Sequence, residues 1–301
     1  MESVILFIRL TRPLFLLGAV LLYALGAGIT HYLGTILNWG LFWMGLVWVL
    51  LLQLSAHYLN EYFDAPYDQD NENRTPFSGG SGALGPGKLP RRAALIAALT
   101  TLTFLASLTV VMLAQWRLPM LSIFIMGLAF LGAFFYSVPP VALEFTGYGE
   151  LTTSFLVAFL LPGYAFSLQT GEFHRLVAMT GFPLVTTHLA MMVSFEFPDY
   201  FNDVKHAKQT LLVRLGWQNA ILLHNLLVLT AFLLVGLALT FGMPVFIALP
   251  AFLPLPLALL QIWQFRRISA GLKPNWTGLT LNGLALFAAM AYLFAYSFWT
   301  H

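Results

Sequence analysis

The chain of 301 residues contains no cysteine, which excludes disulfides, iron–sulfur clusters, thiolate zinc sites and cysteine nucleophiles together. Charge is scarce as well. Asp, Glu, Lys and Arg make up 9% of the residues, against roughly a quarter in a soluble domain. The net charge of +2 is too small to imply nucleic acid as a partner. Apolar residues reach 59%, more than a water-facing surface can cover. A transmembrane β-barrel would need short alternating segments, whereas the apolar runs here are continuous and too long for strands. The composition therefore implies an all-α integral membrane protein, and 16 Pro with 24 Gly suit helices broken or kinked inside lipid.

A helix needs about 20 apolar residues to cross the hydrocarbon core. Dividing the uncharged runs at turn residues predicts nine spans. The run from Pro13 to Asn60 holds two, parted near His31 to Gly40, and single spans follow at about 93–114, 119–138, 151–169 and 176–196. The run from Leu215 to Phe265 lacks Asp, Glu, Lys and Arg over 51 residues, and Gly242-Met243-Pro244 splits it in two. The last span is expected at about 277–298. With the amino terminus and every second loop on one side, that side holds 12 of the 14 Lys and Arg, leaving Arg117 and Arg175 opposite. The positive-inside rule then puts the amino terminus in the cytoplasm and His301 outside, in a multi-pass protein of the inner (plasma) membrane. The first segment has two Arg but no small-residue cleavage site, so it reads as a retained helix. One transmembrane domain, 1–301, is expected.

Eight of the 12 acidic residues fall in two places: Glu61, Asp64, Asp68, Asp70 and Glu72 after the second span, and Glu196, Asp199 and Asp203 after the sixth. Both are cytoplasmic in the topology above. Glu61, Asp64 and Asp68 have the form ExxDxxxD, and Glu196, Asp199 and Asp203 repeat it, each displaced by 135 positions, as Thr210 is from Thr75. This predicts a degenerate internal repeat, spans one to four against five to eight. Residues four apart share a helix face, so Asn60, Asp64 and Asp68 form one stripe and Asp199 and Asp203 another, and two facing stripes would make a cation cage. Pro66 and Pro198 lack backbone donors, which predicts that both helices loosen there. Oxygen ligands without Cys or a His pair suit Mg²⁺, which prefers a few carboxylates plus substrate phosphate. The implied substrate is thus phosphorylated or diphosphorylated. Between the first cluster and the next span, Asn73-Arg74-Thr75-Pro76-Phe77-Ser78-Gly79-Gly80-Ser81-Gly82 offers backbone N–H groups and one guanidinium to an anion. Lys205 and Lys208 stand in the same relation to the second cluster. Two other readings of the acids are solvated loop residues and the coupling groups of a cation or proton transporter.

At these residues the chain resembles the UbiA superfamily of intramembrane prenyltransferases, and within it the branch that prenylates 1,4-dihydroxy-2-naphthoate in menaquinone biosynthesis. Arg9-Leu10-Thr11-Arg12-Pro13 is similar to the family's amino-terminal RLTRP. Asn60-Glu61-Tyr62-Phe63-Asp64, continuing to Asp68, resembles its first signature NDxxDxxxD, with Glu61 in place of Asp. Tyr136-Ser137-Val138-Pro139-Pro140 with Gly149-Glu150 resembles YSxPP…GE. Asp199, Asp203, Lys208, Thr210 and Val213-Arg214-Leu215-Gly216 resemble the second signature, DxxxD followed by KxT and VRLG. The likeness extends from residue 9 to 216. Three departures stand out. In the naphthoate branch the first signature's last acid is often two residues later, at Asp70, so Asp68 and Asp70 are both candidates. After Pro140 relatives usually carry a base, where this chain reads Val141-Ala142-Leu143-Glu144. A third acid found in some members is Ala207 here.

The resemblance implies a nine-helix bundle and transfer of a polyprenyl group from its diphosphate to an aromatic acceptor. It makes Asp64, Asp68 or Asp70, Asp199 and Asp203 the metal ligands and Asn60 part of the catalytic set. Arg74, Lys208, Tyr136 and Ser137 would attend the diphosphate and the allylic cation, and a lateral opening would admit the isoprenoid tail from membrane lipid. Other UbiA-type acceptors, 4-hydroxybenzoate or a glycerol-phosphate lipid, and intramolecular cyclisation keep the same ligands. His57 and His188 precede the acidic motifs in sequence; each reads either as a group that orients the acceptor or, as is more common for a lone membrane histidine, as a hydrogen-bonded packing residue.

Overall fold

The computed structural model describes residues 2–69 and 71–301. Among them are nine helices long and apolar enough to cross a membrane: α2 (Pro13–Tyr32), α3 (Trp39–Asp68), α4 (Arg91–Gln115), α5 (Met120–Ser137), α6 (Gly149–Thr170), α7 (Arg175–Lys205), α9 (Trp217–Thr240), α10 (Val245–Ser269) and α11 (Trp276–Thr300). Two short helices complete the set, α1 (Glu2–Leu10) before the first span and α8 (Leu211–Leu215) after the sixth. The number and order of spans are those the hydropathy pattern predicts.

Two of the predicted ends fall short. The second span was expected to stop at Asn60 and the sixth at 196, yet α3 continues to Asp68 and α7 to Lys205. The expectation that both helices loosen at their prolines is also corrected, because Pro66 and Pro198 lie inside continuous helix. A proline costs its helix one N–H bond and frees the carbonyl four residues earlier. At Pro66 that carbonyl belongs to Tyr62 and accepts from Arg91 Nε. Around Pro198 the helix is held from outside, since Phe197 packs its ring 4.8 Å from both Trp217 and Phe265. A charged stretch can stay helical here because it faces the protein's own interior and not lipid.

Within the bundle α2 packs on α6 and α11, α3 on α4, and α7 on α9 and α11. These faces carry no strong polar stripe, as expected when lipid and neighbour are equally apolar and association relies on close packing of small residues. Gly26 is such a point: a Cβ there would collide with the carbonyl oxygen of Pro162 on α6. That proline follows a widened turn, Leu156–Leu160, in which the helix underwinds to take in an extra residue and relieves the clash its ring would make with the preceding turn. At one end of the bundle the start of α2, the ends of α3 and α7, and the loops after α3, α5 and α7 come together. Both acidic motifs lie there.

Candidate active site

The site begins with two buried glutamates that fasten loops. Glu61 accepts from the Arg12 guanidinium and, at 2.7 Å each, from the backbone N–H and hydroxyl of Ser81. Its repeat partner Glu196 accepts from the N–H of Leu212 at 2.7 Å. Each first acid of ExxDxxxD therefore ties down the loop that follows its own helix and leaves the next two acids free to line the space beneath. Arg12, in a left-handed backbone conformation with φ 50°, also donates to Asn60 Oδ1 at 3.0 Å.

That space is a cavity of about 570 Å³ whose walls include Asp64, Asp68, Glu144, Asp199 and Asp203 together with Arg9, Arg12, Arg74 and Lys208. Asn60 donates to Asp64 Oδ2 at 3.0 Å and to Glu144 Oε2 at 2.7 Å. Lys208 reaches back over the chamber because Ala207, at φ 57°, reverses the chain after α7. Its ammonium lies 3.0 Å from Asp64 and 3.5 Å from Glu144. Across the chamber Asn71 donates to Asp199 at 2.7 Å, and Asn202 on α7 donates to the Tyr67 carbonyl on α3 at 3.2 Å, which pins the two motif-bearing helices together. Gly80, at φ +75°, passes so close to the Asp68 carboxylate that a Cβ would strike it.

Burial and neighbouring charge set the protonation of the groups outside the spans. Burial first, and then the nearby Asp64 carboxylate, push Glu144 up to about 8 against the pull of Lys208. Burial alone would lower Lys208, but Asp64, Glu144 and Asp203 outweigh it and hold the ammonium well above the ordinary lysine range.

The structure brings Asn60, Asp64, Asp68, Asp199, Asp203, Arg74, Lys208 and Tyr136 to one chamber. Ser137 stands behind it, buried, with its hydroxyl 3.4 Å from the Asn60 amide. Asp70 lies outside the described residues. Arg74 gives Nε to the Gly79 carbonyl and Nη2 to the Asp68 carbonyl, both at 2.6 Å, so it closes the end of α3 and shapes the glycine loop. The loop N–H groups are partly used within the protein, those of Phe77 and Ser78 on Thr75 Oγ1 and that of Ser81 on Glu61. Among the described residues no three acids or histidines stand close enough to hold one ion between them. Lys208 and Asn71 bond to Asp64 and Asp199, so the acids of the two stripes ring the chamber with an ammonium and an amide between them. Asp64 Oδ1 remains buried with no partner, and its hard oxygen is the donor type a divalent cation takes.

Sequence reasoning assigned no site role to Arg12, Asn71, Glu144 or Asn202. Glu144 had a signal, as it is the only charged residue between Arg117 and Glu150, and Arg12 belonged to a matched motif. Asn71 and Asn202 carried none.

A second cavity, of about 480 Å³, adjoins the first and shares Arg12, Phe15, Asn60, Phe77 and Tyr136 with it. It runs into the bundle between α2, α3, α5, α6, α7 and α11, and no acidic residue lines it. Trp48, Leu52, Tyr164, Phe195 and Phe287 are among its walls. A polar, acid-ringed chamber that opens directly into an apolar one fits an amphiphile with a charged head.

Comparison with known proteins agrees. No curated protein matches this sequence. Several solved structures are similar in fold over nearly their whole length, three of them as follows. One is a UbiA homolog from Archaeoglobus fulgidus bound to GPP and Mg²⁺, with 18% identity, TM-score 0.65, and coverage of 98% of this chain and 100% of that one. Another is a digeranylgeranylglyceryl phosphate synthase, with 13% identity, TM-score 0.64 and complete coverage of both chains. The third is an apo UbiA homolog from Aeropyrum pernix K1, with 13% identity, TM-score 0.61, and coverage of 92% and 96%. The model of the UbiA prenyltransferase family matches residues 15–277, and a chain matched over that length belongs to the UbiA prenyltransferase family.

Proposed function

We propose that this protein transfers a polyprenyl group from polyprenyl diphosphate to an aromatic acceptor, 1,4-dihydroxy-2-naphthoate being the compound the sequence resemblance favours. The observation that carries the reading is the junction of the two cavities, where the acid-ringed chamber meets the apolar one at Arg12, Asn60 and Tyr136. A prenyl diphosphate laid across it places its head among the carboxylates, its tail between the helices, and the bond to be broken at the junction.

Asp64, Asp68, Asp199 and Asp203 would hold Mg²⁺, as Asp64 Oδ1 is unpartnered and the chamber otherwise repels a diphosphate. When bound, Mg²⁺ neutralises negative charge growing on the leaving oxygens. The Archaeoglobus homolog bound to GPP and Mg²⁺ supports this use of the site. Lys208 stands ready to follow the diphosphate, because Asp64, the nearer of its two carboxylate partners, is a group a cation would claim. Arg74 holds the glycine loop over the head group and adds charge. Tyr136, at the junction, turns an electron-rich ring to the allylic cation, and the surrounding apolar wall keeps water from it. An electron-rich acceptor carbon then attacks. For a dihydroxynaphthoate, the carboxyl group leaves as CO₂ when the ring regains aromaticity.

The active site would face the cytoplasm, with the amino terminus on that side and His301 outside, by the distribution of Lys and Arg. The domain reads as one unit whose halves repeat. In support, Glu61 and Glu196 do the same work, and Asn202 meets Tyr67, its counterpart 135 positions earlier.

The test incubates purified protein with Mg²⁺, geranylgeranyl diphosphate and a panel comprising 1,4-dihydroxy-2-naphthoate, 4-hydroxybenzoate and glycerol phosphate, followed by mass spectrometry of the lipid extract. Prenylated naphthol is expected, lost with a chelator. Product from glycerol phosphate alone overturns the aromatic assignment. No diphosphate release with any acceptor overturns prenyl transfer and favours the transporter reading.

A further inference from the structure

The apolar cavity contains two histidines that the diphosphate chemistry leaves unused, His57 on α3 and His188 on α7. Their protons are assigned from their partners. His57 Nδ1 lies 3.1 Å from the carbonyl oxygen of Thr11, which can only accept, so Nδ1 bears the proton. His188 takes two steps. Ser154 Oγ is 2.7 Å from the Glu150 carbonyl and 2.9 Å from His188 Nδ1. The serine has one proton and the carbonyl must receive it, so His188 Nδ1–H donates to Oγ. Both rings therefore present Nε2 as a bare acceptor with no hydrogen-bond partner among the described residues. A second proton at either Nε2 would put a cation in a wall without any acidic residue, so both rings stay neutral.

A prenyl chain has no donor to offer these nitrogens, and a phosphate dianion has no place beside them. A hydroxyl-bearing aromatic ring suits both features of the wall. Phe15 meets His57 edge to face at 6.1 Å, and Phe287 meets His188 at 4.9 Å, giving flat apolar surfaces beside each acceptor nitrogen. His57 precedes Asp64 by about two helical turns and His188 precedes Asp199 by about three. A bicyclic ring reaching from these nitrogens toward the carboxylates would lie at the junction.

We propose that His57 and His188 bind the acceptor, each Nε2 accepting a hydrogen bond from a hydroxyl group of a hydroxyaromatic substrate. This rests on the prenyl-transfer reading above and adds its specificity determinants. The histidines position the ring and no proton is transferred in this role. Ser154 is a positioning residue that fixes the tautomer of His188.

The experiment uses the full-length purified protein. Binding of 1-hydroxy-2-naphthoate and of its methyl ether is measured by fluorescence without Mg²⁺ or diphosphate, and KM is measured separately for acceptor and donor. The wild type is expected to prefer the hydroxyl compound about ten-fold, the worth of one or two neutral hydrogen bonds. His188→Phe and Ser154→Ala should each abolish most of that preference and raise the acceptor KM by a similar factor, with the donor KM unchanged. His188→Gln, whose amide oxygen accepts, should restore it. An unchanged hydroxyl-over-ether preference in both His188→Phe and Ser154→Ala overturns the proposal, as does no preference in the wild type. A wild type that makes no prenylated product from any acceptor marks failure of the prenyl-transfer reading instead.

Discussion

The two cavities share a wall and differ in almost everything else. Among the described residues five carboxylates ring the outer one and none lines the inner one, where Arg12 is the only charged residue. In the outer chamber the buried charges are tolerable because each has a partner or a cation to come. In the inner cavity the polar groups besides Arg12 are neutral and few, so an allylic cation formed at the boundary meets mainly aromatic and aliphatic faces. The difference teaches where the reaction must occur: only at the junction can one molecule satisfy both environments. The same contrast separates what each region can lose, since removing a charge from the outer chamber alters chemistry, whereas changing the inner wall alters which molecule fits.

The largest break is expected at the carboxylates. Asp64→Ala and Asp199→Ala should each lower kcat at least about 10³-fold while the protein still folds in detergent; full activity in either variant removes the metal assignment. Next comes Lys208→Met, which strands Asp64 and Glu144 without their cation. It should cost about 10²-fold in kcat/KM for the diphosphate and lower the unfolding temperature of the metal-free protein, because breaking a buried pair leaves charge unpaired. The inner cavity gives a smaller and different effect. Gly18 lines it, and a Cβ there meets nothing within 4 Å, so Gly18→Phe should fold normally and shift donor preference toward shorter prenyl chains by several-fold in kcat/KM. The smallest effect is a pH dependence. Glu144, raised to about 8 in the folded protein, binds its proton more tightly folded than unfolded. Its contribution to stability is full below about pH 4 and is lost as pH rises toward 8. Unfolding of the metal-free protein should therefore ease over that range, and Glu144→Gln should flatten the profile.

Much of this was legible in the residue order. The run lengths fixed nine spans because lipid thickness admits few alternatives, and the spacing of Asp64, Asp68, Asp199 and Asp203 placed them on shared faces before any coordinates. Lys208 was found by its position after the second motif. The ends of α3 and α7 were less legible, since a charged stretch reads as the edge of a membrane when it is in fact turned toward a polar interior. The prolines misled for the same reason. Pro66 signals a break by local rules, but Arg91, 29 residues beyond Tyr62 in sequence, takes up the Tyr62 carbonyl that the proline frees.

The sequence by itself determined the membrane class, the span count, the acid motifs and their family likeness, because each follows from local composition or from spacing along one helix. Tertiary structure alone decided that Glu61 and Glu196 fasten loops while their neighbours line the chamber, that Arg74 serves its own loop, that Glu144 faces Lys208, and that His57 and His188 turn bare nitrogens into an apolar space. Apart from Arg74, these depend on atoms that meet from 16 to 64 positions apart in sequence, and a hydrogen bond's partner is set by where helices and loops cross, which no periodicity within one helix encodes.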